Sequence, residues 1–241
     1  MQVTFLRTLR GLAAAILLLG GAAGAANLQI SPVSIAFQPA QAASGINLQN
    51  FGDTSLYGQV RVYAWDQKDG VDVLTPTTDV IASPPVIEVA PNSTQTIRLV
   101  RRGNLENGAE RSYRILIDEI PRGEGAAGVA IRLQYSVPVF IAPAGAATPA
   151  VTWTVVRKEG GALLRAVNGG GLHAQLGATR VRNAAGQELE ISKGLLGYAL
   201  AGRAREWKLP KDKADALTGE LTVITTVNAR DEKFPVAPGG G

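Results

Sequence analysis

From Val129 to Ile141 every second residue of the chain is apolar or aromatic: Val129, Ile131, Leu133, Tyr135, Val137, Val139 and Ile141. Successive side chains of a strand point to opposite faces, so this series forms one unbroken apolar row along one face of an extended strand. A helix would scatter the same residues around its circumference, so the period excludes it. Shorter alternations recur upstream at Leu28 and Ile30, at Val33, Ile35 and Phe37, at Val60, Val62 and Ala64, at Ile97 and Leu99, and at Tyr113, Ile115 and Ile117. Turn formers separate them: Asn50-Phe51-Gly52-Asp53, Asp69-Gly70, Pro84-Pro85, Asn107-Gly108 and the Gly-rich stretch 123–128. Short strands with turn signals about every ten residues predict an antiparallel sandwich rather than alternating strands and helices. Lys211 to Leu217 is the best candidate for a short helical turn.

Beyond the long series the composition becomes small and structureless, Ala142-Pro143-Ala144-Gly145-Ala146-Ala147-Thr148-Pro149, which reads as a linker between domains. Strand-like pieces resume at Val151 to Arg157, Leu163 to Asn168, His173 to Asn183 and Glu220 to Asn228. The expected organisation is all-β, with one domain over 27–144 and a second over 145–241. Residues 1–26 stand apart. Arg7 and Arg10 precede the apolar run Gly11 to Leu19, and the small residues Gly20 to Ala26 follow. That order predicts a secretory signal peptide cleaved before Ala26 or Asn27, too short for a spanning helix and leaving no stable membrane anchor.

Charge narrows the partners less than its total of +4 suggests. Two of the positive charges lie in the leader; residues 27–144 carry 9 basic and 11 acidic residues, and residues 145–241 carry 13 and 9. No basic run with interleaved aromatics marks a nucleic-acid surface. With no Cys there is neither a disulfide nor a thiolate metal site, and a single His, His173, cannot build a His-rich one. No metal or cofactor is expected.

The remaining candidates for chemistry are weak. Asp66, Asp69 and Asp72 around Gly70 lack the spacing and the closing Glu of a calcium loop and suit a hairpin tip. Gly169-Gly170-Gly171 lacks the Lys-Ser/Thr of a phosphate loop, and His173 has no nucleophile elbow beside it, which suits a surface or edge-strand His. Asp118 and Glu119 are consecutive and so project to opposite faces of a strand, unlike a glycosidase pair. An enzyme is not expected. The Val129-to-Tyr135 row fits an ordinary core or edge strand, and equally an edge that lends alternate apolar side chains to a partner by β-augmentation.

Three blocks resemble a known family. Asp79-Val80-Ile81-Ala82-Ser83-Pro84-Pro85 with Val86 to Leu99, then Tyr113-Arg114-Ile115-Leu116-Ile117-Asp118-Glu119-Ile120-Pro121, then Arg132-Leu133-Gln134-Tyr135-Ser136-Val137-Pro138-Val139-Phe140, are similar in order and spacing to the periplasmic pilus-assembly chaperones of the chaperone/usher pathway (PapD-like). The resemblance covers most of residues 28–143, and the last block is more like the divergent archaic, Csu-type branch. It implies two immunoglobulin-like β-sandwich domains in a boomerang arrangement, working in the periplasm. The implied activity is to bind, fold and cap pilus subunits by donor-strand complementation and to deliver them to an outer-membrane usher. Carried onto this chain, the donor strand is Val129, Ile131, Leu133 and Tyr135.

The best-known members hold the subunit's C-terminal carboxylate with an Arg on the first strand and a Lys on the long strand. Those positions are Ser34 and Pro138 here. A carboxylate in a cleft still needs a fixed cation, and Arg gives a bidentate match. Arg114 is the first candidate, followed by Arg98 and Arg132. An exposed donor edge is also open to self-association in the free form. The rival expectation is a secreted structural or adhesive sandwich that is itself a component of a surface pilus. Two domains and an internal donor-like strand weigh against a single incomplete subunit.

Overall fold

The computed structural model describes residues 28–102, 110–121, 132–145, 147–158, 161–216 and 218–237. Within them the chain is almost entirely strand, in two separately cored sandwiches, and the one described helix is α1 (Lys211–Ala216) where the short helical turn was expected. The leader and the residues Val129 and Ile131 lie outside the described residues.

The first sandwich is built from two sheets. One has the order β1 (Leu28–Ser31), β3 (Ala43–Asn50), β8 (Thr94–Arg101), β6 (Val80–Ser83). The other runs β2 (Ile35–Phe37), β10 (Gln134–Ile141), β9 (Arg111–Glu119), β4 (Leu56–Lys68), β5 (Val71–Pro76), with β7 (Val86–Val89) paired to the start of β4. The alternation read from sequence is the alternation of burial. Ile46, Leu48, Ile97 and Leu99 from the first sheet close on Ile115, Ile117, Val137, Val139 and Ile141 from the second. Each such side chain withdrawn from water contributes about 1.5–3 kcal/mol. Tyr113 belongs to the same core, and its phenol is pushed up to about 12 by burial first and by its hydrogen bond to Asp79 second.

The second sandwich has the strand order β14 (Glu188–Ser192), β13 (Ala174–Asn183), β17 (Leu221–Val227), β18 (Arg230–Ala237), β11 (Val151–Lys158), β12 (Gly161–Asn168), β16 (Arg203–Leu209), with β15 (Gly197–Ala199) on β13. Its own core gathers Trp153, Leu164, Leu176, Val181 and Val223.

The two sandwiches meet through the far end of β4. Asp69 and Gly70 turn the β4–β5 hairpin with φ of 50° and 74°, the left-handed pair that Asp-Gly supplies in a tight hairpin. That tip docks on the second domain: Glu206 N–H donates to Gly70 O at 3.0 Å and Arg205 Nη1 to the same oxygen at 2.8 Å. A Cβ on Gly70 would stand 2.6 Å from Glu206 Cγ, so close approach as well as dihedral calls for glycine. Next to it the buried Gln67 behaves like a piece of strand. Its Nε2 donates to Tyr198 O at 2.8 Å and its Oε1 accepts from Leu200 N–H at 3.0 Å. Beneath them Trp65, Phe140, Tyr198 and Leu200 form a small apolar cluster of residues from both domains.

Candidate functional site

The two halves of β10 have different neighbours. On one flank β9 pairs with all of it, from Gln134 opposite Asp118 to Ile141 opposite Arg111. On the other flank β2 pairs in parallel with Val139, Phe140 and Ile141 alone. Residues 134–138 therefore have a strand on one side and, among the described residues, none on the other. An edge of this kind leaves backbone donors and acceptors ready to pair with an added strand.

The side chains change character at the same point. Val137, Val139 and Ile141 are buried in the first core, whereas Tyr135 and Leu133, on the same row, are only half-buried because the row runs on past the opposing sheet. Burial, and then the negative charge of Glu119, raises the Tyr135 phenol above its ordinary value. Leu133 is tied down by β9: Glu119 N–H donates to Leu133 O at 3.1 Å, and Leu133 N–H donates to Glu119 Oε2 at 3.3 Å. Both described members of the expected donor row thus stand on the open half of the strand or at its threshold.

Arg114 sits on the outer face of the same sheet, directly across the ladder from Pro138 on one side and Tyr63 on the other. Its guanidinium lies 3.7 Å from the Trp65 ring centroid and 5.3 Å from that of Tyr198, which places it at the domain junction. Burial lowers its pKa, and Tyr198 and Asp72 act against that; an Arg nevertheless keeps its proton. No carboxylate of the described residues stands within ion-pair distance of it. Arg61, two rows further along this face, is already engaged by Asp118 at 2.6 Å, and Asp118 also accepts from Gln134 Nε2. A half-buried guanidinium 3.7 Å from an indole centroid, with no ion-pair partner among the described residues, is suited to a planar anion such as a carboxylate.

The other cations that the sequence suggested are elsewhere. Arg98 is on β8 between the buried Ile97 and Leu99, and so is exposed on the outer face of the opposite sheet, away from Arg114. Arg132 is exposed just before β10. Several residues of the junction were not foreseen. His173, read as a surface or edge-strand His, is stacked on Phe140 at 3.5 Å with the rings 5° from parallel. Its backbone N–H donates to Glu110 Oε2 at 2.7 Å, and its Nδ1 lies 2.8 Å from the same oxygen, so the one His of the chain joins the two domains. A legible signal was the row Tyr63, Trp65, Gln67 on the face of β4 that does not enter the core: large aromatics on an outer face ask for cover.

A family model described as a pili and flagellar-assembly chaperone, PapD N-terminal domain, matches residues 27–147, half of the chain. The chain belongs to that family. No curated protein sequence matches it closely. Among solved structures it is similar to the chaperone in the CsuC-CsuE chaperone–tip subunit pre-assembly complex of the archaic chaperone-usher Csu pili of Acinetobacter baumannii. That likeness has 23% identity and a TM-score of 0.70, and covers 88% of this chain and 99% of that one. The E. coli chaperone DraB follows at 19% identity and TM-score 0.58, covering 87% and 95%. The Salmonella enterica SafA pilin–SafB chaperone complex gives 14% and 0.59, covering 86% and 94%. At these identities the likeness speaks for the fold: two β-sandwiches in the arrangement of a pilus chaperone.

Proposed function

We propose that this pilus-assembly chaperone binds subunits along the open half of β10 and releases them to an outer-membrane usher, working in the periplasm after its leader is removed. The observation that carries the reading is the strand with a partner on one flank from Gln134 to Pro138 and on both flanks from Val139 onward. A subunit that lacks one strand exposes an apolar groove and a row of unpaired backbone groups. The chain supplies both complements: the expected donor row Val129, Ile131, Leu133 and Tyr135, and along β10 an edge that has no strand partner among the described residues. The subunit's C-terminal carboxylate pairs with Arg114, which stands across from the position where better-known members keep a Lys. A second copy of the chain is the competing occupant of the edge when subunits are absent.

Co-expression of the chain with pilus subunits and isolation of a one-to-one periplasmic complex tests the proposal. Subunits that stay soluble without the chain, together with no complex, would overturn it. A structural or adhesive pilus component would instead be recovered at the cell surface within the fibre.

A further inference from the structure

The second domain also has a strand edge without a partner among the described residues. β18 pairs with β17 from Arg230 opposite Val227 to Pro235 opposite Thr222, but β11 meets it only at Val236 and Ala237. Between the first part of β18 and the chain entering β11 at 147–152 lies a cleft of about 630 Å³. It is lined by the apolar Val151, Leu172, Val227 and Phe234 and by the charged Arg230 and Glu232. All three β18 residues in it are even-numbered, as alternation requires, and Phe234 carries that row into the core. Two charged side chains thus stand on the inward row, and neither has an ion-pair partner among the described residues. The turns fix the backbone groups along the cleft. Asn228 and Ala229, with φ of 48° and 65°, close the β17–β18 hairpin in two residues, so Arg230, Glu232 and Phe234 bond β17. Asn228 N–H, which donates to Gln175 O on β13 at 2.9 Å, has the phase this requires. Asp231 and Lys233 therefore turn N–H and C=O to the cleft, and Pro235 a C=O alone. Across it, Ala150 O accepts from Gly169 N–H at 2.9 Å, so the next residue, Val151, turns away from β12 and towards β18.

We propose that this cleft accepts an extended segment of another polypeptide, laid antiparallel to β18 and carrying an apolar, a basic and an acidic side chain at alternate positions in that order. Backbone donors and acceptors recur every second residue along β18, which suits a polypeptide rather than a small solute. A strand between β18 and β11 that is antiparallel to both forms the stronger kind of ladder on each flank. Its residues stand directly opposite those of β18 with side chains on the same face. Running antiparallel, it meets Phe234 first, then Glu232, then Arg230. The apolar side chain completes the lining made by Phe234, Val151 and Leu172, and the basic and acidic ones meet the two unmatched charges. The reverse charge order would set like charges opposite each other, which destabilises a pair. The site lies on the other domain from the β10 edge, so it does not rest on the subunit-binding reading and leaves β10 free for its own partner.

The test titrates the intact chain with a capped peptide, Thr-Phe-Thr-Lys-Thr-Glu-Thr, and with its charge-swapped isomer, Thr-Phe-Thr-Glu-Thr-Lys-Thr, and reads backbone amide chemical shifts. Saturable binding that moves the amides of Asp231, Lys233 and Val151 is expected, about tenfold tighter for the first peptide than for the isomer. Exchanging the two charges of the cleft, Arg230→Glu with Glu232→Lys, should reverse that preference. Lys233→Pro removes an edge N–H without touching the β17 ladder and should weaken the first peptide about tenfold. Melting curves accompany both variants, and the wild type supplies an independent arm. The two Thr residues that flank Lys in the first peptide lie opposite Asp231 and Lys233; N-methylated there, the peptide cannot bond the β18 edge and should not bind. No saturable binding of the first peptide, or shifts confined to the β10 edge, overturns the site and leaves the inward charges as protection of the edge. Equal binding of the two isomers, or binding of the methylated peptide at this cleft, overturns the charge-matched strand. Each of these results leaves subunit capture on β10 in place.

Discussion

The lower half of β10, Val139 to Ile141, and the upper half, Gln134 to Pro138, carry one continuous alternation and lie in different surroundings. Below, β9 and β2 flank the strand, the odd residues fill the first core, and Phe140 on the opposite face helps to join the two domains. Above, one flank has no strand partner among the described residues, and the same apolar row leaves the core half-covered. Alternation therefore says that a strand has an apolar face, and the neighbours decide whether that face stabilises its own fold or is kept for another chain.

The sharpest way to break this contrast is to place a carboxylate in each half. Val139→Asp would bury an unpaired charge at a site with 0% exposure and should destabilise the first domain by more than about 4 kcal/mol in denaturant unfolding. Leu133→Asp should leave the unfolding midpoint within about 0.5 kcal/mol of wild type and abolish subunit capture. Equal loss of stability in both variants would erase the distinction.

A comparison of two arginines on one face comes next. Arg114→Ala should weaken capture by about 2–5 kcal/mol with the fold intact, because a carboxylate in the cleft loses its partner. Arg61→Ala, at an exposed site already matched by Asp118, should leave capture unchanged in the same titration. Wild-type affinity in Arg114→Ala would remove it from the anchor role.

A smaller effect is expected where the lower half of the strand leans on the second domain. Gln67→Ala leaves Leu200 N–H and Tyr198 O without their partner and should lower stability by about 1–3 kcal/mol in thermal unfolding, with a broader distribution of domain angles by small-angle scattering. The smallest effect concerns Asp66. Burial works against its charge, but the hydrogen bond from Arg203 and the backbone N–H of Gln67 outweigh it and hold its carboxyl below the ordinary 3.8. A carboxyl lowered on folding contributes stability above its unfolded value and loses it as pH falls through the folded one. Domain docking should therefore weaken below pH 3.8, and Asp66→Asn should flatten that limb of the stability curve.

Much of the first domain was legible because its determinants are local. The period of two, the Asp69-Gly70 turn and the three family blocks each occupy a few consecutive residues, and the strands and hairpin stand where they pointed. What was not legible depends on pairs remote in sequence. Three arginines were candidates for a carboxylate, Arg114 ahead of Arg98 and Arg132, and it is the sheet order that separates Arg114 at the junction from Arg98 on the far sheet. His173 had no neighbour in the sequence to suggest a role; its partner Glu110 is 63 residues away and Phe140 is in the other domain. Gln67 looked like part of a hairpin tip, and its contacts to Tyr198 and Leu200 span 131 and 133 residues.

Amide hydrogen exchange on β10, read with and without a bound pilus subunit, tests the central claim most directly. The N–H groups of Gln134 and Ser136, which face the open edge, should become strongly protected in the complex, while Ala142 N–H, already bonded to Phe37 O, should change little. Gln134 and Ser136 exchanging at the same rate with subunit bound as without would contradict the proposal that subunits are held by an added strand on this edge.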